Sequence, residues 1–150
     1  MSNFINNQTG KPVEETTVLL EVGVPTSISG KTYLLDASLR AAVRALQGKK
    51  IHMQFGSPGS NANALDQSRT CGLIENVRLI ECRQTKGTGV IIGDVKPWGP
   101  FGVHVRDCIS GAEPHPSYYG LHAMVSAPVG GDGMVRSVRE IVSWYMVSKN

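Results

Sequence analysis

The chain has 150 residues, of which 41% are hydrophobic and 18% are charged. This length and balance predict one domain with a true hydrophobic core. Fifteen Lys and Arg residues against twelve Asp and Glu give a formal charge of +3, scattered along the chain. Scattered charge is typical of a solvated surface, and it argues against a nucleic-acid-binding protein.

The three cysteines, Cys71, Cys82 and Cys108, are odd in number and follow no metal-site spacing. They predict free, mostly buried thiols in a reducing compartment, with no disulfide, metal or cofactor. No apolar run approaches 18 residues, and the first one, residues 18–24, contains Glu21 and lacks a basic flank. We therefore expect neither a membrane span nor a cleaved secretion signal.

Residues 1–16 are polar and predict an N-terminal arm, with Phe4 and Ile5 among its few anchoring side chains. A β-branched strand follows at 17–24. Apolar residues at helical spacing then predict a helix that begins at Asp36 or Ser38 and ends near Gly48.

Alternating apolar residues predict further strands at 51–55, 71–82, 88–96, 117–127 and 137–147, and a short amphipathic helix within 99–111. Strands and helices do not alternate strictly. The pattern predicts an α+β domain over residues 17–150, a closed or nearly closed, antiparallel-rich β-barrel of six to seven strands with two or more short helices.

Several motifs occur in a specific order: a Gly-Lys-x-Tyr turn before the first helix, the loop "FGSPGS", the strand "GLIENVRL", and "GDVKPWGPFG" followed by a helix and "SYYG". In this order, over residues 17–148, the chain resembles the capsid maturation (prohead) proteases of tailed bacteriophages. These are serine proteases that share a barrel fold with herpesvirus assembly proteases, so the resemblance implies that fold here.

The resemblance places the family's nucleophilic serine at Ser117. It places the family's catalytic histidine, in a Gly-His-Pro type turn, at Ser57, and Tyr119 stands where related proteins often have an arginine. A serine hydroxyl attacks only when a base accepts its proton, which another hydroxyl cannot do near pH 7. Loss of such a base lowers the reaction rate by a factor on the order of 10⁴ to 10⁶. We therefore expect an inactive relative, with Ser117 and Ser57 as relic positions.

Four histidines are candidates for a substitute base. His52 is five residues from Ser57 and is expected to face solvent, and His122 is expected on the opposite strand face from Ser117. His104 is expected on the solvated face of its helix. Only His115, two residues before Ser117 and roughly 7 Å away in extended chain, is close enough to serve as a fallback base.

Other residues predict contacts with partners. Tyr118 and Tyr119 are adjacent in a strand and must face opposite ways, so one of them is expected at the surface, where it could anchor a protein contact. Asp66 and Arg69 either pair and brace the loop after residue 56 or are unrelated solvated charges.

The leading hypothesis is a structural virion protein. It would be a capsid decoration or cementing protein that binds the major capsid protein in several copies, as a small homo-oligomer, through Phe4, Ile5 and one of Tyr118 and Tyr119. It would lie on the capsid surface, after assembly in the bacterial cytoplasm. The alternative is an active maturation protease that uses Ser117 and an unconventional base. A third possibility, a barrel that binds single-stranded nucleic acid, is disfavoured by the scattered charge and 6% aromatic content.

Overall fold

The computed structural model describes residues 14–26, 30–56, 66–110, 119–128 and 131–148. These ranges contain eight strands, two α-helices and a short 3-10 helix at Gln67–Arg69. In chain order the larger elements are β1 (Glu15–Val22), β2 (Thr32–Tyr33), α1 (Ala37–Arg44), β3 (Ile51–Phe55), β4 (Thr70–Glu81), β5 (Gly89–Pro97), α2 (Gly102–Ser110), β6 (Tyr119–Ser126), β7 (Met134–Val135) and β8 (Glu140–Ser148).

Six strands form one sheet in the order β1-β5-β4-β3-β8-β6, and β2 pairs with β7 beside it. All pairs in the large sheet are antiparallel except β3 with β8. The α+β class, the two helices and the antiparallel-rich sheet are as predicted. The prediction of a closed barrel is wrong, because the sheet curls into an open half-barrel in which no hydrogen-bonded ladder joins β1 to β6.

The two free edges approach each other without pairing. Some Cα atoms of β1 lie within 8 Å of β6, whereas paired strands are about 4.8 Å apart. A β-bulge places Leu19 out of register with β5, and the carbonyl of Leu19 accepts a 2.8 Å hydrogen bond from the indole Nε1 of Trp144 on β8. Because the Leu19 carbonyl accepts a hydrogen bond from a side chain, it does not pair with an amide of β6. The fully buried Trp144 thus links the two sides of the gap between β1 and β6.

The bulge at Leu19 requires space on β5. Gly93 supplies it, because a Cβ at that position would lie 2.9 Å from the Leu19 side chain and 3.0 Å from Ile74. Real Cβ atoms essentially never make contacts as short as 2.9 Å, so a larger residue at 93 would displace Leu19. The absence of a side chain at Gly93 therefore lets the bulged residue enter the core.

The helices fill the concave side of the sheet at opposite ends. Leu39 and Val43 of α1 and Val105 of α2 belong to one core cluster with the inward residues of the strands. Arg40 of α1 forms an ion pair with Glu81, the last residue of β4, at 3.0 Å. At the start of β4, the carbonyl of Thr70 accepts the amide of Phe101 just before α2. We call these the α1 end and the α2 end.

Asp36 is the N-cap of α1, which resolves the two predicted alternatives. Its carboxylate accepts the amide of Leu39 at 2.9 Å, and Ser38 donates to the same oxygen. The Ser38 hydroxyl accepts the amide of Val138, which ties the helix start to the segment before β8. Partial burial would raise the pKa of Asp36, but the hydrogen bonds from Ser38, Leu39 and Ser137 hold it below its ordinary value. The helix itself ends at Arg44, four residues before the predicted end.

Replacing Trp144 with Phe keeps an aromatic ring in the core but removes the donor to Leu19. We expect the Trp144→Phe variant to lose about 1–3 kcal/mol of unfolding free energy, because the buried carbonyl is left unsatisfied. Urea denaturation followed by far-UV circular dichroism measures the loss. Trp98→Phe, at a half-exposed tryptophan, is the matched control and should change stability by no more than about 0.5 kcal/mol. Equal losses in both variants would show that this hydrogen bond does not hold the sheet.

Candidate functional site

The segments that carry the predicted site residues join the sheet at the α2 end. Phe55 of β3 pairs with Met146 of β8, which pairs in turn with Leu121 of β6, so the three lie in one row. Gly56 continues this end with an amide hydrogen bond to the Met146 carbonyl at 2.7 Å. Tyr119 begins β6 at the same end. The start of residues 57–65, after Gly56, and the end of residues 111–118, before Tyr119, are thus two strand spacings apart, about 10 Å.

The N-terminal residues lead to this end as well. Glu15 pairs with Val95, close to the end of β5, so β1 begins at the α2 end. The chain after Ser148 leaves β8 there too, because Ser148 pairs with Tyr119. Four segments outside the described residues, 1–13, 57–65, 111–118 and 149–150, therefore connect to one end of the half-barrel.

Most of the predicted site residues lie on these segments. Tyr119 is placed as the first residue of β6, opposite Ser148, by its backbone alone. The other predicted residues lie outside the described residues: Phe4, Ile5, Ser57, His115, Ser117 and Tyr118. The structure brings the points where their segments begin and end to one place.

Gln54 joins the two ends of the segment 57–65. Its side-chain nitrogen donates to the Gly56 carbonyl at 2.9 Å, and its side-chain oxygen accepts the Asp66 amide at 2.8 Å. The side chain is fully buried, although alternation along β3 puts it on the outer face of the sheet. Sequence reasoning missed this residue, because a glutamine at an outward strand position is indistinguishable by pattern from a solvated one.

Asp66 and Arg69 do form an ion pair, at 3.3 Å, next to the same base. Asp66 also caps the 3-10 helix by accepting from the amide and hydroxyl of Ser68, and these hydrogen bonds, led by the hydroxyl, lower its pKa below the ordinary value. The Arg69 guanidinium lies 3.1 Å from where a Cβ of Gly56 would be, and Gly56 has a φ of +85°, a backbone conformation that favours glycine.

An aromatic stack lies on the concave side of the α2 end. The ring of His104 stacks on Phe55 with centroids 4.1 Å apart and planes at 9°, and Phe101 stacks on Phe55 at 5.6 Å. The prediction that His104 lies on a solvated helix face is wrong, because α2 turns this half-buried ring onto β3. A histidine therefore stands directly beside the residue that precedes Gly56 and Ser57.

The other two described histidines lie on the outer face of the sheet. His122 stacks on Tyr145, its partner on β8, with centroids 4.9 Å apart, and burial lowers the pKa of His122. The ring of His52 is half-buried rather than pointing freely into solvent, and its Nδ1 atom is buried with no hydrogen-bond partner. Neither ring is arranged with a serine and an acid among the residues that the structure describes.

The cysteines differ in environment, and all three are free. Burial raises the pKa of Cys71 to about 12, and burial with the negative charges of Asp107 and Glu15 raises that of Cys108 to about 11. Cys82 is exposed, against the expectation of mostly buried thiols, and hydrogen bonds led by the Thr85 backbone lower its pKa. In the described part of the chain, no group of three potential ligands could hold a metal ion, and no helix is long and apolar enough to cross a membrane.

Comparison with known proteins finds no matching family model, no matching curated protein and no matching solved structure. The relationship to prohead proteases thus remains a prediction from the order of the sequence motifs.

Replacing Gln54 with Leu removes both hydrogen bonds at the base of residues 57–65 and leaves the Asp66 amide and the Gly56 carbonyl without these partners. We expect a loss of about 2–3 kcal/mol in unfolding free energy and faster proteolytic cleavage within 57–65. Limited proteolysis with mass spectrometry locates the cleavage. Gln47→Leu, at an exposed position after α1, is the control and should leave the cleavage rate unchanged. Unchanged cleavage in Gln54→Leu would contradict the role assigned to this side chain.

Proposed function

We propose that the chain is a capsid decoration or cementing protein, built on a non-catalytic half-barrel related to phage prohead proteases. The observation that carries this proposal is that described residues bordering 1–13, 57–65, 111–118 and 149–150 lie at the α2 end. A rigid scaffold that gathers several connecting segments at one end is a common arrangement for binding another protein. The major capsid protein is the partner that the resemblance implies.

The base of the α2 end is built to be rigid. Gln54 ties the two ends of one segment to β3, and the ion pair of Asp66 with Arg69 lies next to the same base. An ordered base lowers the entropy that a loop loses when it binds a partner. These contacts support a binding role and do not depend on any catalytic group.

The sequence supports a role without catalysis. Ser57 occupies the position where the resemblance expects a histidine, and a hydroxyl cannot accept the proton of Ser117 near pH 7. The exposed contacts of the α2 end would then come from Phe4 and Ile5 of the arm and from one of Tyr118 and Tyr119. On this proposal the protein occupies the capsid surface in several copies.

The composition of the virion tests this proposal. We expect quantitative mass spectrometry of purified virions of the phage that encodes this chain to find it at a simple whole-number ratio to the major capsid protein. When the chain is stripped from virions and the purified chain is added back, the ratio should be restored. An unrelated protein of similar size and charge should not bind the stripped virions. Virions that lack stoichiometric copies of the chain would refute the decoration role.

A second candidate function is favoured by one feature of the α2 end. The start of residues 57–65 and the end of residues 111–118 are only about 10 Å apart, and His104 stacks on Phe55 at the same end. An active maturation protease could therefore pair Ser117 with His115 or with another imidazole, provided that the hydroxyl and the ring come within about 3 Å.

Replacing Ser117 with Ala in the phage separates the two candidates. Under the decoration role we expect normal processing of the capsid proteins, because no bond is cleaved by this chain. Gel analysis of capsid proteins from infected cells measures processing, with Ser126→Ala at the far end of β6 as the matched control. Capsid proteins that stay uncut in Ser117→Ala but not in the control would establish the protease.

A further inference from the structure

Four aliphatic side chains form a patch on the convex, outer face of the sheet, away from both helices. Val18 of β1 pairs with Ile92 of β5, and Ile80 of β4 pairs with Val90 of β5. Val18 is 52% exposed and Ile80 is 49% exposed. We call Val18, Ile80, Val90 and Ile92 the outer patch.

The outer patch is not part of the core. Ile91, between Val90 and Ile92, is fully buried and faces the helices, so its two neighbours on β5 must face outward. An apolar residue on both faces of one strand is typical of a sheet that is covered on both sides. In the described residues, only the concave side is covered by helices.

Two opposite charges complete the rectangle around this patch. One row across β1, β5 and β4 contains Val18, Ile92 and Arg78, and the next row contains Glu21, Val90 and Ile80. The bulge at Leu19 is what puts Glu21, rather than Leu20, on the outer face. The two exposed aliphatic residues thus occupy one diagonal of a rectangle of roughly 10 by 7 Å, and Glu21 and Arg78 occupy the other.

We propose that the outer patch is the contact between two copies of this chain, related by a twofold axis along the Val18 to Ile80 diagonal. A twofold axis lying in the contact plane brings each residue on the axis against the same residue of the second copy. It also carries Glu21 to within roughly 4 Å of the position facing the partner's Arg78, a gap that these two long side chains can span. The two sheets then cross at a steep angle, as in orthogonal sheet packing.

The charges favour a second copy over an unrelated partner. Glu21 forms no ion pair among the described residues, so its charge is available for a pair across the interface. Arg78 forms an ion pair with Asp94 at 3.9 Å and donates to the Asn76 carbonyl, but its side chain is 42% exposed and its guanidinium has further N–H donors for a second carboxylate. Because one patch carries one acid and one base at equivalent places, it is complementary to itself.

The contact is small. Four aliphatic side chains and two ion pairs cover far less than the roughly 800 Å² per partner of a standard stable interface, so the dimer is weak in dilute solution. Copies concentrated on a common support would gain from the effective concentration that a multivalent array supplies. The dimer supplies the self-association that the proposed function invokes, but it rests on the geometry of the outer face and not on capsid binding.

Exchange of the two charges tests the dimer. Sedimentation velocity of the wild-type chain over a range from micromolar to millimolar concentration should show a reversible monomer–dimer equilibrium. Glu21→Arg and Arg78→Glu should each weaken it about tenfold or more, because each places like charges opposite one another. An equimolar mixture of the two variants should restore dimerisation, since every pair across the interface again joins opposite charges.

Two controls accompany this experiment. Glu140→Arg makes the same charge change at an exposed strand residue outside the patch and should leave the equilibrium unchanged. Thermal unfolding of each variant checks folding, since Arg78 also donates to the Asn76 carbonyl within its own copy. If Arg78→Glu does not fold, Ile80→Asp with Glu21→Arg tests the same face, and both should then be monomeric.

The proposal would be overturned by a wild-type chain that stays monomeric up to millimolar concentration, by variants that dimerise like the wild type, or by a mixture that fails to recover dimerisation. Capsid binding by a monomeric chain that Ile80→Asp abolishes would assign the patch to another protein and would likewise overturn it. A dimer that binds no capsid would instead refute only the decoration role.

Discussion

The hydrogen bond from the Trp144 indole to the Leu19 carbonyl is the constraint on which the architecture depends. A six-stranded sheet with two free edges can lie open, close, or curl without closing, and its ladders alone do not decide among these. The indole fixes the distance between β8 and β1 through a bulged residue, and the missing side chain of Gly93 makes room for that residue. The sheet is thereby held as a half-barrel with a deep concave side.

That curvature gives the molecule two unlike ends. The concave side holds α1 at one end, fixed by its Asp36 cap and its ion pair to β4, and α2 at the other, fixed to the start of β4. Long connections depart from the α2 end because β3 and β8 run parallel, so that both finish where β1, β4 and β6 begin. The binding role that we propose for that end would follow from strand direction, with Gln54 joining the two ends of residues 57–65.

Local sequence patterns predicted most strands and helices, but they could not predict contacts between residues that are far apart in the sequence. Alternation predicted β3 at its observed bounds and β4 and β5 within one residue at each end, because each strand has a clearly apolar inward row. Closure was predicted wrongly, since it depends on a side chain bonding a carbonyl 125 residues away in sequence. Tertiary contacts bury Gln54 fully and His104 by about half, against the expectation from their polar character. Strands β2 and β7, two residues each, are too short to show a period.

The outer patch shows how the same bulge acts on both faces of the sheet. By taking Leu19 out of register with β5, it leaves the Leu19 carbonyl as the acceptor for Trp144, and by shifting the register it also brings Glu21 out beside Val90. Without the bulge, Leu20 would take the place of Glu21 on the outer face of β1. The β1 side of the patch would then be wholly aliphatic, and a second copy would offer no carboxylate to Arg78. The feature that holds the half-barrel together therefore also underlies the dimer contact that we propose for the convex face, which lies apart from the α2 end proposed to bind the capsid.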